Sequence, residues 1–154
     1  MTEIPYKESK KEVIYPVTDI PYGIPDLVDK LILVAEDDSS NYLFIESFLK
    51  QTNARVLWAR DGIQALELFR SNNDIDLILM DIRMPNMNGI EATREIRRID
   101  NKVPVIALTA YAFTNDREKS LEAGCNEYLS KPVRLETLIK TLNKYLRITP
   151  ATGN

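Results

Sequence analysis

The chain contains no histidine. No Ser-His-Asp or Cys-His nucleophile system can be assembled from it, nor a zinc site built on paired histidines. Cysteine is nearly absent too. Cys125 stands alone, which excludes an internal disulfide and a thiolate metal cluster and suits a reducing compartment. Positive charge is not in excess: 20 Lys and Arg stand against 23 Asp and Glu, a net charge of -3. The electrostatic footprint of a nucleic-acid binder is therefore missing. No apolar run approaches the roughly 18 residues that span a membrane. The opening MTEIPYKESKKE lacks the apolar stretch of a secretory signal. The expectation is a cytoplasmic chain with no membrane contact and no direct nucleic-acid partner. Its chemistry must run on carboxylates, lysine, hydroxyls or a bound ion.

What is present is one domain's worth of ordinary globular sequence, 154 residues with 44% hydrophobic and 28% charged. Residues 1–30 hold Pro5, Pro16, Pro21 and Pro25 and show no lasting apolar periodicity, so they read as a linker or tail, partly docked on the domain. A regular alternation follows over 31–147. Strands are expected at 31–35, 55–59, 75–80, 103–108 and 127–130, because each is a short, mostly apolar run. Helices are expected at 41–51, from a capping pair Asp61/Gln64, at 89–99, at 115–123 ending on Gly124, and along the stripe Leu135, Leu138, Ile139, Leu142, Leu146. Residues 148–154 form a tail. Strand-helix alternation of this kind gives an α/β fold, a parallel sheet with helices on both faces and right-handed crossovers.

In open parallel sheets, ligands bind beyond the carboxyl ends of the strands. Strand one ends in Glu36-Asp37-Asp38, strand three in Asp81, strand four in Thr109 and strand five in Lys131-Pro132. Clustered carboxylates repel one another unless a cation intervenes. Magnesium suits two or three carboxylates plus waters and a phosphate oxygen, and manganese can substitute. A lysine and a hydroxyl alongside would serve a transferred phosphoryl group. A carboxylate can itself be the nucleophile.

At these residues the chain resembles the receiver domain of two-component response regulators. The motifs are Ile32-Leu33-Val34-Ala35-Glu36-Asp37-Asp38, the run from Leu79 through Asp81 and Met84-Pro85-Asn86-Met87-Asn88 to Gly89, Ala107-Leu108-Thr109-Ala110, and Tyr128-Leu129-Ser130-Lys131-Pro132. The resemblance implies a flavodoxin-like three-layer sandwich with strand order 2-1-3-4-5. It implies that Asp81 accepts phosphoryl from a phosphohistidine on a histidine kinase or histidine phosphotransfer partner. It further implies that Glu36, Asp37, Asp81 and the Arg83 backbone carbonyl hold magnesium and that Lys131 pairs with the phosphoryl group. Thr109 and Tyr128 would switch the face formed by the fourth helix, fifth strand and fifth helix. Arg83 and Tyr111 would flank the phosphoryl group and slow its hydrolysis. The Lys131-Pro132 bond would be cis.

Blander roles remain for other residues. Asp38 reads as a helix cap or surface charge, Trp58 as packing and Cys125 as a surface or half-buried filler. Arg97-Arg98 reads as a solvated helix face. Tyr128 is more safely a packing aromatic than a switch. Asn41 and the Leu108–Ala112 run look like receivers of hybrid histidine kinases, where the chain would be the cytoplasmic part of a membrane-bound sensor. A stand-alone response regulator is the alternative. An aspartate-nucleophile phosphatase of the haloacid dehalogenase type would need an aspartate where Arg83 stands. An FMN-binding flavodoxin would need a Ser/Thr-Gly phosphate loop where Glu36-Asp37-Asp38 stand. A nucleotide P-loop is absent.

Overall fold

A computed structural model describes residues 23–110 and 115–146. Most of the Pro-rich segment, Tyr111 and the C-terminal tail lie outside the described residues. Five strands alternate with five helices: β1 Leu31–Ala35, α1 Ser39–Gln51, β2 Arg55–Ala59, α2 Gly62–Ser71, β3 Leu77–Asp81, α3 Gly89–Ile99, β4 Val105–Thr109, α4 Asp116–Ala123, β5 Glu127–Ser130 and α5 Leu135–Leu146. The strands form one parallel sheet in the order β2-β1-β3-β4-β5, as the resemblance implies.

Alternation along each strand divides the core in two. Leu31, Leu33, Ile78, Met80, Val105 and Ala107 face α2 and α3, packing with Ala65, Phe69, Ala92 and Ile96. Ile32, Val34, Leu77, Leu79, Ile106 and Leu108 face α1 and α5, packing with Ile45, Leu49, Leu138 and Leu142. Strands covered on both faces must be apolar throughout, which is why β1, β3 and β4 read as unbroken runs.

Element boundaries shift where a side chain takes over a backbone hydrogen bond. β3 begins later than the apolar run suggests because Asp76 turns aside, its carboxylate accepting from the Leu31 amide at 2.8 Å. β4 begins after Pro104, which has no amide to donate. α1 begins earlier than Asn41 because Asp38 caps it, accepting from the Asn41 amide at 3.0 Å. Asp61 caps α2 through the Gln64 amide, but the Gln64 side chain accepts from the Arg60 amide instead of closing the box on Asp61. The full capping box lies at Asn88 and Glu91, at the start of α3. α4 stops on Gly124 with φ of 117°, a left-handed conformation suited to glycine.

Two residues read as bland occupy different places. Cys125 is buried in the core rather than at the surface, with the Thr93 hydroxyl 3.7 Å from its sulfur. Arg97 is not solvated: its guanidinium donates to the Gly124 carbonyl at 2.9 Å and to Asn126 Oδ1 at 2.9 Å, while Arg98 is exposed. A long side chain next to a helix C-terminus satisfies its last carbonyls this way.

The end of the Pro-rich segment belongs to the packed unit. Leu27 is fully buried among the α1- and α5-facing residues, and its amide donates to the Thr52 carbonyl at 2.7 Å. Leu27→Ala is expected to lower unfolding stability by about 2–5 kcal/mol in urea titration. An unchanged midpoint would place Leu27 outside the cooperative unit.

Candidate functional site

The register of the sheet brings the strand ends level. Ala35 pairs with Ala59 and Met80, Asp81 with Leu108, and Thr109 with Ser130. Glu36, Asp81, Thr109 and Lys131 therefore emerge on one edge.

Glu36 is the most constrained of them. Its amide donates to the Ala59 carbonyl at 2.9 Å, and its own carbonyl accepts from Trp58 Nε1 at 2.8 Å. Trp58 is held in turn by a stack on Tyr42, with ring centroids 4.0 Å apart, and by the Arg60 guanidinium 4.4 Å away. So Trp58 packs, as expected, and also fixes the backbone that carries Glu36. The carboxylate is buried; Oε2 accepts from the Asp38 amide at 3.1 Å. Oε1 lies 2.8 Å from Lys131 Nζ, yet among the described residues no donor is aligned with it as a hydrogen bond.

Asp81 ends β3, buried, with Oδ2 3.1 Å from the same Lys131 nitrogen. Its Oδ1 accepts from the Arg83 amide at 3.3 Å. Burial and the neighbouring Glu36 charge push its carboxyl from the ordinary 3.8 up to about 7, against the opposing pull of Lys131. Burial opposes the charge on Lys131, but the two adjoining carboxylates, Glu36 and Asp81, outweigh it and hold the ammonium above its ordinary value. The Lys131-Pro132 bond is cis.

Gly89 closes the site from below. A Cβ there would collide with the Asp81 carbonyl oxygen, and the Gly89 amide donates to the Ile82 carbonyl at 2.9 Å. The loop between them is pinned by Asn86, whose side chain donates to Asp61 Oδ2 at 2.6 Å.

Oxygen atoms of Glu36, Asp37 and Asp81 come within 4.8 Å of one another; Asp37 is exposed and the other two are buried. Three carboxylates against one ammonium leave uncompensated negative charge. Together with the unaligned Glu36 Oε1, this donor set fits a small, hard, oxygen-seeking dication such as magnesium.

Thr109 is fully buried at the end of β4, and its hydroxyl donates to Asp116 Oδ2 at 3.3 Å. Asp116 is buried in the first turn of α4 and also accepts from Arg83, Nε to Oδ2 at 3.2 Å and Nη2 to Oδ1 at 3.3 Å. The Arg83 side chain, expected beside the phosphoryl group, is thus engaged with Asp116. Asp116 escaped the sequence reading, since one acid at a helix start is unremarkable there; its only trace is its place seven residues after Thr109. Tyr128 is half-buried, and its hydroxyl is buried without a hydrogen-bond partner among the described residues. Tyr111 lies outside the described residues.

Residues 32–143 match the family model described as the response regulator receiver domain. The chain belongs to that family. The receiver is 37% identical over 125 residues to hybrid signal transduction histidine kinase I of Dictyostelium discoideum, matching 76% of this chain but only 7% of that protein. It is 34% identical over 119 residues to the polar-differentiation response regulator DivK of Brucella anthropi, matching 76% of this chain and 96% of that protein. Among solved structures it is similar to the receiver domain of a sensor histidine kinase from Pseudomonas aeruginosa with a magnesium ion coordinated in its active site cleft. That likeness has a TM-score of 0.72 and 42% identity, covering 77% of this chain and 98% of that one. It is also similar to the Saccharomyces cerevisiae co-crystal of a histidine phosphotransfer signaling protein and the receiver domain of its downstream response regulator. There the TM-score is 0.71 and the identity 30%, covering 79% of this chain and 90% of that one. The protein is accordingly a two-component phosphorelay receiver domain, a signalling module, with the expected family and fold. Among the described residues no helix is long and apolar enough to cross a membrane.

The raised Asp81 carboxyl has a measurable consequence. The unfolded chain gives up this proton near 3.8 and the folded receiver near 7, so ionisation opposes folding progressively across that window and fully above it. Asparagine escapes the penalty. With chelator present, Asp81→Asn should raise Tm, by roughly two and a half times as much at pH 8 as at pH 5. Equal gains at both pH values would contradict the shift.

Proposed function

We propose that Asp81 is the phosphoacceptor, taking a phosphoryl group from a phosphohistidine on a partner. The observation that carries this reading is the Lys131 ammonium, set within 2.8 Å of Glu36 and 3.1 Å of Asp81 at the strand ends. The Asp81 carboxylate attacks phosphorus, the nitrogen–phosphorus bond of the donor breaks, and the electron pair stays on the donor's imidazole. Lys131 neutralises part of the charge that arrives with the phosphoryl group. The Thr109 hydroxyl donates to a phosphoryl oxygen, and Tyr128 follows the movement of Thr109, altering the face of α4, β5 and α5. Glu36, Asp37, Asp81 and the Arg83 carbonyl would hold magnesium, or manganese in its place, which supplies positive charge to the carboxylates and the phosphoryl oxygens.

The donor histidine must come from another domain or chain, since none exists here. A histidine kinase or a histidine phosphotransfer domain is the partner class, supported by the yeast co-crystal described above. The domain then acts as an acceptor and switch in the cytoplasm, not as an enzyme turning over an external substrate. Likeness to two histidine-kinase receivers supports an origin in a hybrid kinase. The match to 96% of DivK supports the stand-alone reading.

Incubation with acetyl phosphate and magnesium should add one phosphoryl group to the wild type, mapped by mass spectrometry to Asp81, and none to Asp81→Asn. Equal labelling of both would overturn the assignment.

A further inference from the structure

We infer that Asp116 is a positioning residue that competes with the phosphoryl group for the single proton of the Thr109 hydroxyl, and so sets how readily the receiver enters its phosphorylated arrangement. The inference rests on the assignment of Asp81 as acceptor. A threonine hydroxyl has one hydrogen to donate. Here that hydrogen goes to Asp116 Oδ2, over 3.3 Å, within the buried end of β4. For Thr109 to donate to a phosphoryl oxygen on Asp81, the hydroxyl must leave Asp116.

The surroundings make the exchange feasible in both directions. Asp116 is buried but stays a strong acceptor, because Arg83 donates to both of its oxygens. Losing Thr109 leaves Asp116 still paired with Arg83, at the start of a helix where negative charge is favoured. No buried charge is stranded, so the penalty of an orphaned carboxylate does not block the change. The same carboxylate connects three elements. Arg83 follows the acceptor strand, and its amide donates to Asp81 Oδ1. Thr109 ends β4, and Asp116 opens α4. Reorientation of one hydroxyl is thereby coupled to the first turn of α4.

The test is a double-mutant cycle with beryllofluoride and magnesium as the phosphoryl probe, its affinity read from binding isotherms and the Thr109 position from NMR. Asp116→Asn keeps the side-chain volume and weakens the acceptor; Asp116→Ala removes it. Either variant should bind the probe about tenfold more tightly than wild type, the size of one hydrogen bond. Thr109→Ala should abolish that gain. Unchanged or weaker binding in both Asp116 variants would overturn the inference. A gain that persists undiminished with Thr109→Ala would also overturn it, because removal of a nearby negative charge would then explain the effect without Thr109. Failure of the wild type to bind beryllofluoride at Asp81 is a separate result, one that removes the acceptor assignment itself.

Discussion

The site is organised around one ammonium shared by two buried carboxylates. Lys131 lies between Glu36 and Asp81, and each group tolerates burial only because of the others. The arrangement is deliberately short of charge: three acidic side chains converge and one base answers them. A structure built for stability alone would place apolar residues there. Burial and the neighbouring Glu36 charge keep Asp81 reluctant to ionise.

The scaffold explains how such a cluster persists. The apolar strands run level, so their next residues meet at one edge. Glu36 is fixed by Ala59, Trp58 and Asp38. Asp81 rests against a glycine that admits no side chain. The cis bond before Pro132 follows directly on the lysine. Position is thus set by backbone hydrogen bonds and core packing.

Most of this was legible in the sequence, for identifiable reasons. Unbroken apolar runs such as Leu31–Ala35 are what strands covered on both faces require, and their alternation with helical stripes points to a parallel sheet. The residue after each run then named Glu36, Asp81, Thr109 and Lys131. What escaped depended on distant pairs. Nothing local marks Asp116 as the acceptor for Arg83, 33 positions away, or Trp58 as a donor to Glu36, 22 positions away. Arg97 looked solvated because its partners, Gly124 and Asn126, lie across a helix-helix contact. Leu27 carried no periodic signal because one anchoring residue makes no pattern.

If Glu36, Asp37 and Asp81 share a divalent cation opposite Lys131, binding of that ion depends on the exposed Asp37 as well as on the two buried carboxylates. Calorimetric titration of magnesium into the wild type and Asp37→Asn tests it most directly, since Asp37 is exposed and its replacement leaves the core intact. One ion should bind the wild type, and affinity should be at least about tenfold lower in the variant, the loss of one charged ligand. Equal affinity in the two proteins, or no binding by the wild type, would contradict it.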